Sequence, residues 1–206
     1  MIVAITKTLP PAAVTAARAA GLTDVGENYV QEARDKRAHV GEALRWHLVG
    51  SLQRNKVRLA VRLFDYIHSI DSASVASALD GAAAGRAEAL PVLVQVNTTA
   101  EHERRGIAPE SVAALVEHLA TCRALAPAGL MTIAPPGTAP EQGRPHFRML
   151  RELRDDVADR LGLELRHLSM GMSEDFLVAV EEGATMVRLG RALFGRRNAG
   201  PWREES

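Results

Sequence analysis

Eight times along the chain a short apolar, β-branched run gives way to a longer stretch of Ala, Arg, Glu and Leu at helical spacing. That alternation constrains the fold more than any other property, because each run needs covered faces and each stretch supplies a cover. The runs lie at 2–6, 24–26, 45–49, 66–69, 91–97, 128–133, 164–168 and 185–189. The helical stretches lie at 10–20, 29–40, 55–63, 73–85, 109–121, 141–161 and 174–182, with a last one beginning at Arg191. Val92-Leu93-Val94-Gln95-Val96 is almost continuously apolar, as a strand buried on both faces requires. Two helices have clear faces. Val112, Leu115, Val116 and Leu119 follow i, i+3, i+4, i+7 spacing behind Pro109, and Phe147, Leu150, Leu153 and Val157 form a stripe that stops at Gly162.

Eight such βα units predict one domain, a single (β/α)8 TIM barrel over residues 1–197, with a flexible tail at 198–206. The competitor is an open doubly wound sheet. It normally uses fewer strands, and no Gly-x-Gly-x-x-Gly follows the first run. Residues 134–140 read Ala-Pro-Pro-Gly-Thr-Ala-Pro, a turn-rich loop directly after a strand, where barrels carry functional loops, although a plain solvated connection reads the same way.

Composition removes several classes of function. The 206 residues carry 25 Lys plus Arg against 25 Asp plus Glu, so no net charge draws the chain to nucleic acid. Cys122 has no second cysteine to pair with, which fits a reduced, cytoplasmic setting. No apolar run reaches the roughly 18 residues of a spanning helix, and Met1 opens onto Ile2-Val3-Ala4-Ile5 without a charged leader. The expectation is a monomer that is neither membrane-bound nor exported.

In a parallel barrel the chemistry collects where the strands end. Alternation puts Val3, Ile5 and Lys7 on one side of the first strand. If that side faces the barrel interior, apolar surroundings lower the lysine pKa and leave more neutral amine to condense with aldehydes; a lysine just past a strand can equally reach out to water. Closure brings the eighth strand beside the first, and with it Arg188. Two neighbouring cations call for an anion, and barrel loops after strands seven and eight are where phosphate is usually held. Ser169-Met170-Gly171-Met172-Ser173 leads into the helix expected at Glu174, and Gly190 precedes the last one. Backbone donors of these turns and the Ser173 hydroxyl could hold a phosphate, or Ser173 could simply cap its helix, with Glu174 and Asp175 pointing outward.

The blocks 26–32 (Gly-Glu-Asn-Tyr-Val-Gln-Glu), 46–56 (Trp-His-Leu-Val-Gly-Ser-Leu-Gln-Arg-Asn-Lys), 168–173 and 185–195 resemble the YggS/PROSC family of pyridoxal-phosphate homeostasis proteins, and the likeness runs from the first strand to about Arg197. The resemblance implies a single barrel similar to the N-terminal domain of alanine racemase. It implies that Lys7 carries pyridoxal 5′-phosphate as a Schiff base, that Asn28 lies near the cofactor, and that Arg188 faces the pyridine nitrogen. It also implies a phosphate site built from Ser173, Met172 and the Gly190-Arg191 turn. The implied role is intracellular vitamin B6 and amino-acid homeostasis without robust turnover, with apo forms of pyridoxal-phosphate enzymes as recipients. Two departures stand out: family members usually begin with an extra helix, so one end of the barrel is expected to be less covered here or to be covered by a partner, and Arg191 stands where Thr or Ser is common.

An arginine at the pyridine nitrogen opposes its protonation, making a poorer electron sink, and carbanion chemistry needs a second acid or base besides the lysine. Tyr29 and Tyr66, the two tyrosines, are expected to pack rather than to supply it. A racemase-like enzyme is the alternative within this cofactor class. A metal-dependent hydrolase would use His47, His68 and His167, but lacks the usual His-x-His pair and carboxylate on the first strand. The mixed-charge runs 34–37 and 101–105 would serve an interaction module or, more simply, a solvated face; Cys122 is read as a packed small hydrophobe.

Overall fold

Residues 1–40, 44–99, 101, 104–135 and 139–195 are described by the structure, a computed structural model. The expected tail at 198–206 and the centre of the 134–140 loop, residues 136–138, lie outside them.

Short, largely apolar runs become strands because helices cover one face and the barrel interior the other. The strands are β1 (Ile2–Ile5), β2 (Asp24–Glu27), β3 (Arg45–Leu48), β4 (Tyr66–Ile70), β5 (Leu90–Gln95), β6 (Leu125–Met131), β7 (His167–Met172) and β8 (Met186–Leu189). They pair in parallel in chain order and close into a barrel, with Val3 beside Arg188 and Ala4 beside Leu189 at the seam. Between them run α1 (Pro11–Ala19), α2 (Val30–Val40), α3 (Val57–Leu63), α4 (Ala73–Ala83), α5 (Val112–Thr121), α6 (Arg144–Leu161), α7 (Phe176–Glu181) and α8 (Arg191–Phe194). No helix among the described residues is long and apolar enough to cross a membrane.

Two separate cores follow from strand alternation. Ala4, Val25, Trp46, Leu48, Ile67, Val92, Val94, Leu130 and Leu168 turn outward and pack under the helices, where they meet the predicted stripes of α5 and α6, including Val116, Leu119, Phe147 and Leu150. Val3, Ile5, Leu93, Met131 and Met186 turn inward and form a small apolar cluster inside the barrel. α6 ends where predicted, at Gly162 in the left-handed region with φ 63°, a conformation glycine adopts without a Cβ penalty.

Several expected boundaries are corrected. The seventh strand does not lie at 164–168. Glu164 and Arg166 pair with each other at the surface, Nε to Oε1 2.6 Å, and the strand starts three residues later and takes in Ser169 through Met172. Those small residues read as a turn in the sequence, but Gly171 (φ 88°) forms a bulge, so that Ser169 and Met172 pair with Met186 and Arg188. β6 begins earlier than predicted and tolerates Pro127 because a register shift there lets Val92 and Leu93 face Pro127 and Gly129, with Ala128 as the extra residue. The run at 34–37 is not wholly solvated: Lys36 is fully buried on the inner stripe of α2 with Val30, Ala33 and Val40.

Candidate functional site

β1 ends with Ile5 inside the barrel, and Lys7, two residues on, lines the same side, so the expected alternation carries past the last paired residue. The chain around Lys7 is tightly held. Thr8 has φ 62°, an unusual conformation for a β-branched residue, and its N–H donates to Glu32 Oε1. On the other side of Lys7 the Thr6 carbonyl accepts from Lys36 Nζ at 2.6 Å. Lys36 Nζ also reaches Glu27 Oε1 and Glu32 Oε1, each at 2.7 Å, while Thr6 Oγ1 donates to Glu27 at 2.6 Å. Burial pushes the Glu27 carboxyl up to about 7; the nearby Lys36 cation pulls the other way, and the neighbouring Glu32 carboxylate adds to the rise. This knot between β1, β2 and α2 was not singled out in the sequence, where Glu27, Glu32 and Lys36 look like ordinary surface charge.

Lys7 opens onto a cavity of about 590 Å³ at the C-terminal ends of the strands, and all seven residues singled out from the sequence line it: Lys7, Asn28, Met172, Ser173, Arg188, Gly190 and Arg191. Ile5, Val49 and Ile133 supply apolar wall. Asn28 reaches this rim because the chain after β3 passes hard against it: a Cβ on Gly50 would stand 2.2 Å from the Asn28 carbonyl oxygen.

Opposite the lysine, Ser173 does not cap α7, whose N-cap residue is Asp175. Its Oγ instead accepts from the N–H groups of Gly190 at 3.3 Å and Ala192 at 3.1 Å, which leaves the hydroxyl hydrogen to donate elsewhere. The acidic pair beside it is engaged elsewhere. Glu174 Oε1 pairs with Arg191 Nη2 at 2.8 Å in the open, and Asp175 Oδ1 accepts from the Met172 N–H at 2.6 Å. The Arg191 side chain is therefore engaged away from Ser173, and what its turn offers an anion is backbone.

Arg188 forms the buried wall between these ends. Its Nη1 donates to Ser169 Oγ at 2.7 Å and its Nη2 to the Thr132 carbonyl at 2.8 Å. Burial draws its pKa down to about 10, so it stays cationic at neutral pH. A cation, an amine and convergent donors around one half-apolar cavity suit a planar molecule that carries an anionic group and an electrophilic carbon.

The histidines do not gather as metal ligands: among the described residues no group of three His, Cys, Asp or Glu side chains is placed to hold a metal ion. His47 Nδ1 meets His68 Nε2 at 2.9 Å and His47 Nε2 meets Asp24 Oδ1 at 2.9 Å, whereas His167 Nδ1 lies 3.3 Å from Thr185 Oγ1. Tyr66 stacks on His47, ring centroids 4.7 Å apart and planes 4° from parallel, and Tyr29 is exposed beside a neighbouring groove. Neither tyrosine lines the main cavity. Cys122 is half-buried, and burial raises its thiol pKa.

Comparison with known proteins gives a consistent result. Residues 1–198 match the family model of the alanine racemase N-terminal domain. A pyridoxal phosphate homeostasis protein of Pseudomonas aeruginosa is 42% identical over 200 residues, covering 97% of this chain and 85% of its own. One of Aquifex aeolicus is 42% identical over 192 residues, covering 93% of this chain and 84% of its own. Among solved structures, PipY of Synechococcus elongatus PCC7942 with PLP bound superposes with a TM-score of 0.89 at 38% identity, covering 95% of this chain and 92% of PipY.

Proposed function

The chain belongs to the pyridoxal phosphate homeostasis protein family, built on the alanine racemase N-terminal domain, and from that premise we propose that it binds pyridoxal 5′-phosphate and holds it for delivery rather than for turnover. The observation that carries the reading is the shared cavity: a lysine amine at the end of β1, an arginine on β8 and the Ser173–Gly190 donors all line about 590 Å³ of space. The residues fit the group by chemistry, an amine for its aldehyde and hydroxyl and backbone donors for its phosphate. Bound as a Schiff base on Lys7, the cofactor would supply a conjugated electrophile that amines can take over by exchange.

The chain's own residues favour carriage. Ser173 and the Gly190-Arg191 turn would hold the cofactor's anionic group, Asn28 and Met172 border the cavity, and Arg188 holds a positive charge that would oppose a proton on a ring nitrogen beside it. Among the described residues, apart from Lys7, no tyrosine, histidine or carboxylate lines the cavity to serve as the second acid or base that α-carbon chemistry needs. Binding must also be reversible for delivery, and the recipients in this reading are apo forms of enzymes that use the same cofactor.

Titration with pyridoxal 5′-phosphate and with unphosphorylated pyridoxal tests this directly. The phosphorylated form should give a yellow protein with an absorbance band near the visible edge, and the unphosphorylated form should bind at least about tenfold more weakly if the donors around Ser173 grip the phosphate. Absence of any band, or equal affinity for the two, would contradict the reading. Incubation of the loaded protein with alanine in heavy water should leave the α-proton unexchanged; exchange would mean turnover.

A further inference from the structure

The lumen of the barrel holds a line of polar side chains that sequence reading left scattered and the cavity itself does not include. It starts at the far rim, where Arg45 Nε and Nη2 grip Asp24, each at 2.8 Å, and Thr23 Oγ1 adds a third donor at 2.6 Å. From Asp24 Oδ1 it runs to His47 Nε2, from His47 Nδ1 to His68 Nε2, and from His68 Nδ1 to Ser169 Oγ, each step 2.9 Å. Ser169 Oγ then accepts from Arg188 at the cavity wall. The step from His68 on β4 to Ser169 on β7 crosses the barrel. Asp24, His47, His68, Ser169 and Arg188 are all buried.

The two ends fix the direction of the line. A guanidinium can only donate and a carboxylate can only accept, so with neutral imidazoles the order is Arg188 to Ser169, Ser169 to His68, His68 to His47 and His47 to Asp24. Every link then has one donor and one acceptor. In the reverse tautomers Ser169 would accept from both neighbours, and its hydroxyl proton has no other acceptor among the described residues. The ring of Tyr66 stacked on His47 locks that imidazole in plane, and the Thr132 carbonyl, with its own N–H donated to the Ser169 carbonyl at 3.1 Å, takes the second Arg188 donor.

We propose that Asp24, His47, His68 and Ser169 are positioning residues for Arg188: a one-way hydrogen-bond relay through the barrel that sets how the guanidinium faces the bound ring. This rests on the pyridoxal-phosphate reading for what Arg188 faces, but not for the relay itself, whose hydrogen bonds lie wholly within the chain. Among the described residues no carboxylate hydrogen-bonds Arg188, so its orientation rests on Ser169 Oγ and the Thr132 carbonyl.

The experiment separates the two claims. In wild type without added cofactor, nitrogen-15 NMR should find hydrogen on Nε2 of both His47 and His68, and Arg188 guanidinium hydrogens protected from exchange. Hydrogen on Nδ1 of either ring, or rapidly exchanging Arg188 hydrogens, would overturn the relay whatever the cavity binds. Ser169→Ala should then expose the Arg188 hydrogens to exchange, weaken pyridoxal 5′-phosphate binding about tenfold and shift its absorbance band, because a charge-assisted buried bond is lost. Should Ser169→Ala fail to fold, His68→Phe and His68→Gln replace it. The phenylalanine breaks the line while the glutamine keeps one donor and one acceptor, so only the glutamine variant should recover affinity and band position. Equal spectra and affinity across wild type, Ser169→Ala and His68→Phe would overturn the proposal. A wild type that takes up no cofactor, yet shows the NMR pattern and its loss in Ser169→Ala, would sink the cofactor reading and leave the relay standing.

Discussion

The two cores of this barrel are built to opposite rules. Between strands and helices the packing is mainly aliphatic and aromatic, with Trp46, Phe64, Phe147 and Leu119 almost fully buried and the Lys36–Glu27 knot as a polar exception. Inside the strands five buried apolar residues share the space with Asp24, two histidines, Ser169 and Arg188. The outer layer is dense and non-directional, and its contribution follows the area it hides. The inner layer is directional: each polar group there is costly unless its partner is in place, so it gains specificity where the outer layer gains stability. The difference teaches that fold and site are separable in this chain. The helices hold the barrel closed, and the lumen and strand ends shape what it binds.

Substitutions that strike one core and spare the other sharpen this contrast. The largest stability effect belongs to the outer layer. Phe147→Ala should cost about 3–5 kcal/mol in chemical denaturation, and any protein that remains folded should keep the wild-type cofactor band. A band lost in proportion to stability would break the separation.

A smaller effect comes from the knot behind Lys7. Glu27 has its carboxyl pKa raised to about 7, against 4.5 for the ordinary group, so the folded protein takes up a proton that the unfolded chain does not hold between those pH values. Stability should therefore fall as pH rises from about 5 to about 7, and Glu27→Gln should flatten that slope in thermal melts. A slope of the opposite sign would show the carboxylate to be favoured by Lys36 and Thr6 more than burial opposes it.

Smaller again, Thr8→Gly should relieve the left-handed backbone at φ 62°, a strain of about 1–2 kcal/mol, at the cost of some added freedom in the unfolded chain. The expected outcome is a slightly raised Tm with slower capture of the aldehyde by a less constrained Lys7. Faster capture would mean that the strain does not aim the lysine. Smallest of all, Arg166→Ala removes an exposed pair with Glu164 and should change neither Tm nor spectrum measurably.

Much of this was legible in the chain. The alternation of eight runs and eight helical stretches gave the barrel, because parallel strands buried on both faces leave a strong signal. Lys7, Ser173 and Arg188 could be placed together since closure and strand parity are rules of the fold rather than details of packing. What escaped detection depended on tertiary partners. Ser169-Met170-Gly171-Met172 has turn composition, and only the bulge against β8 makes it a strand. Lys36 and Glu27 look solvated until α2 lies on β2. The relay had a faint signal, polar residues such as His47 and His68 flanked by Trp46, Leu48 and Ile67, but a lone strand histidine does not say which nitrogen it will meet across a barrel.

One measurement bears on the central claim most directly: borohydride reduction of the cofactor-treated protein, digestion, and mass spectrometry of the N-terminal peptide. The account predicts one phosphopyridoxyl group fixed to Lys7 and its loss in Lys7→Ala without loss of fold. Label on another lysine, or none on a protein that stays folded, would contradict it.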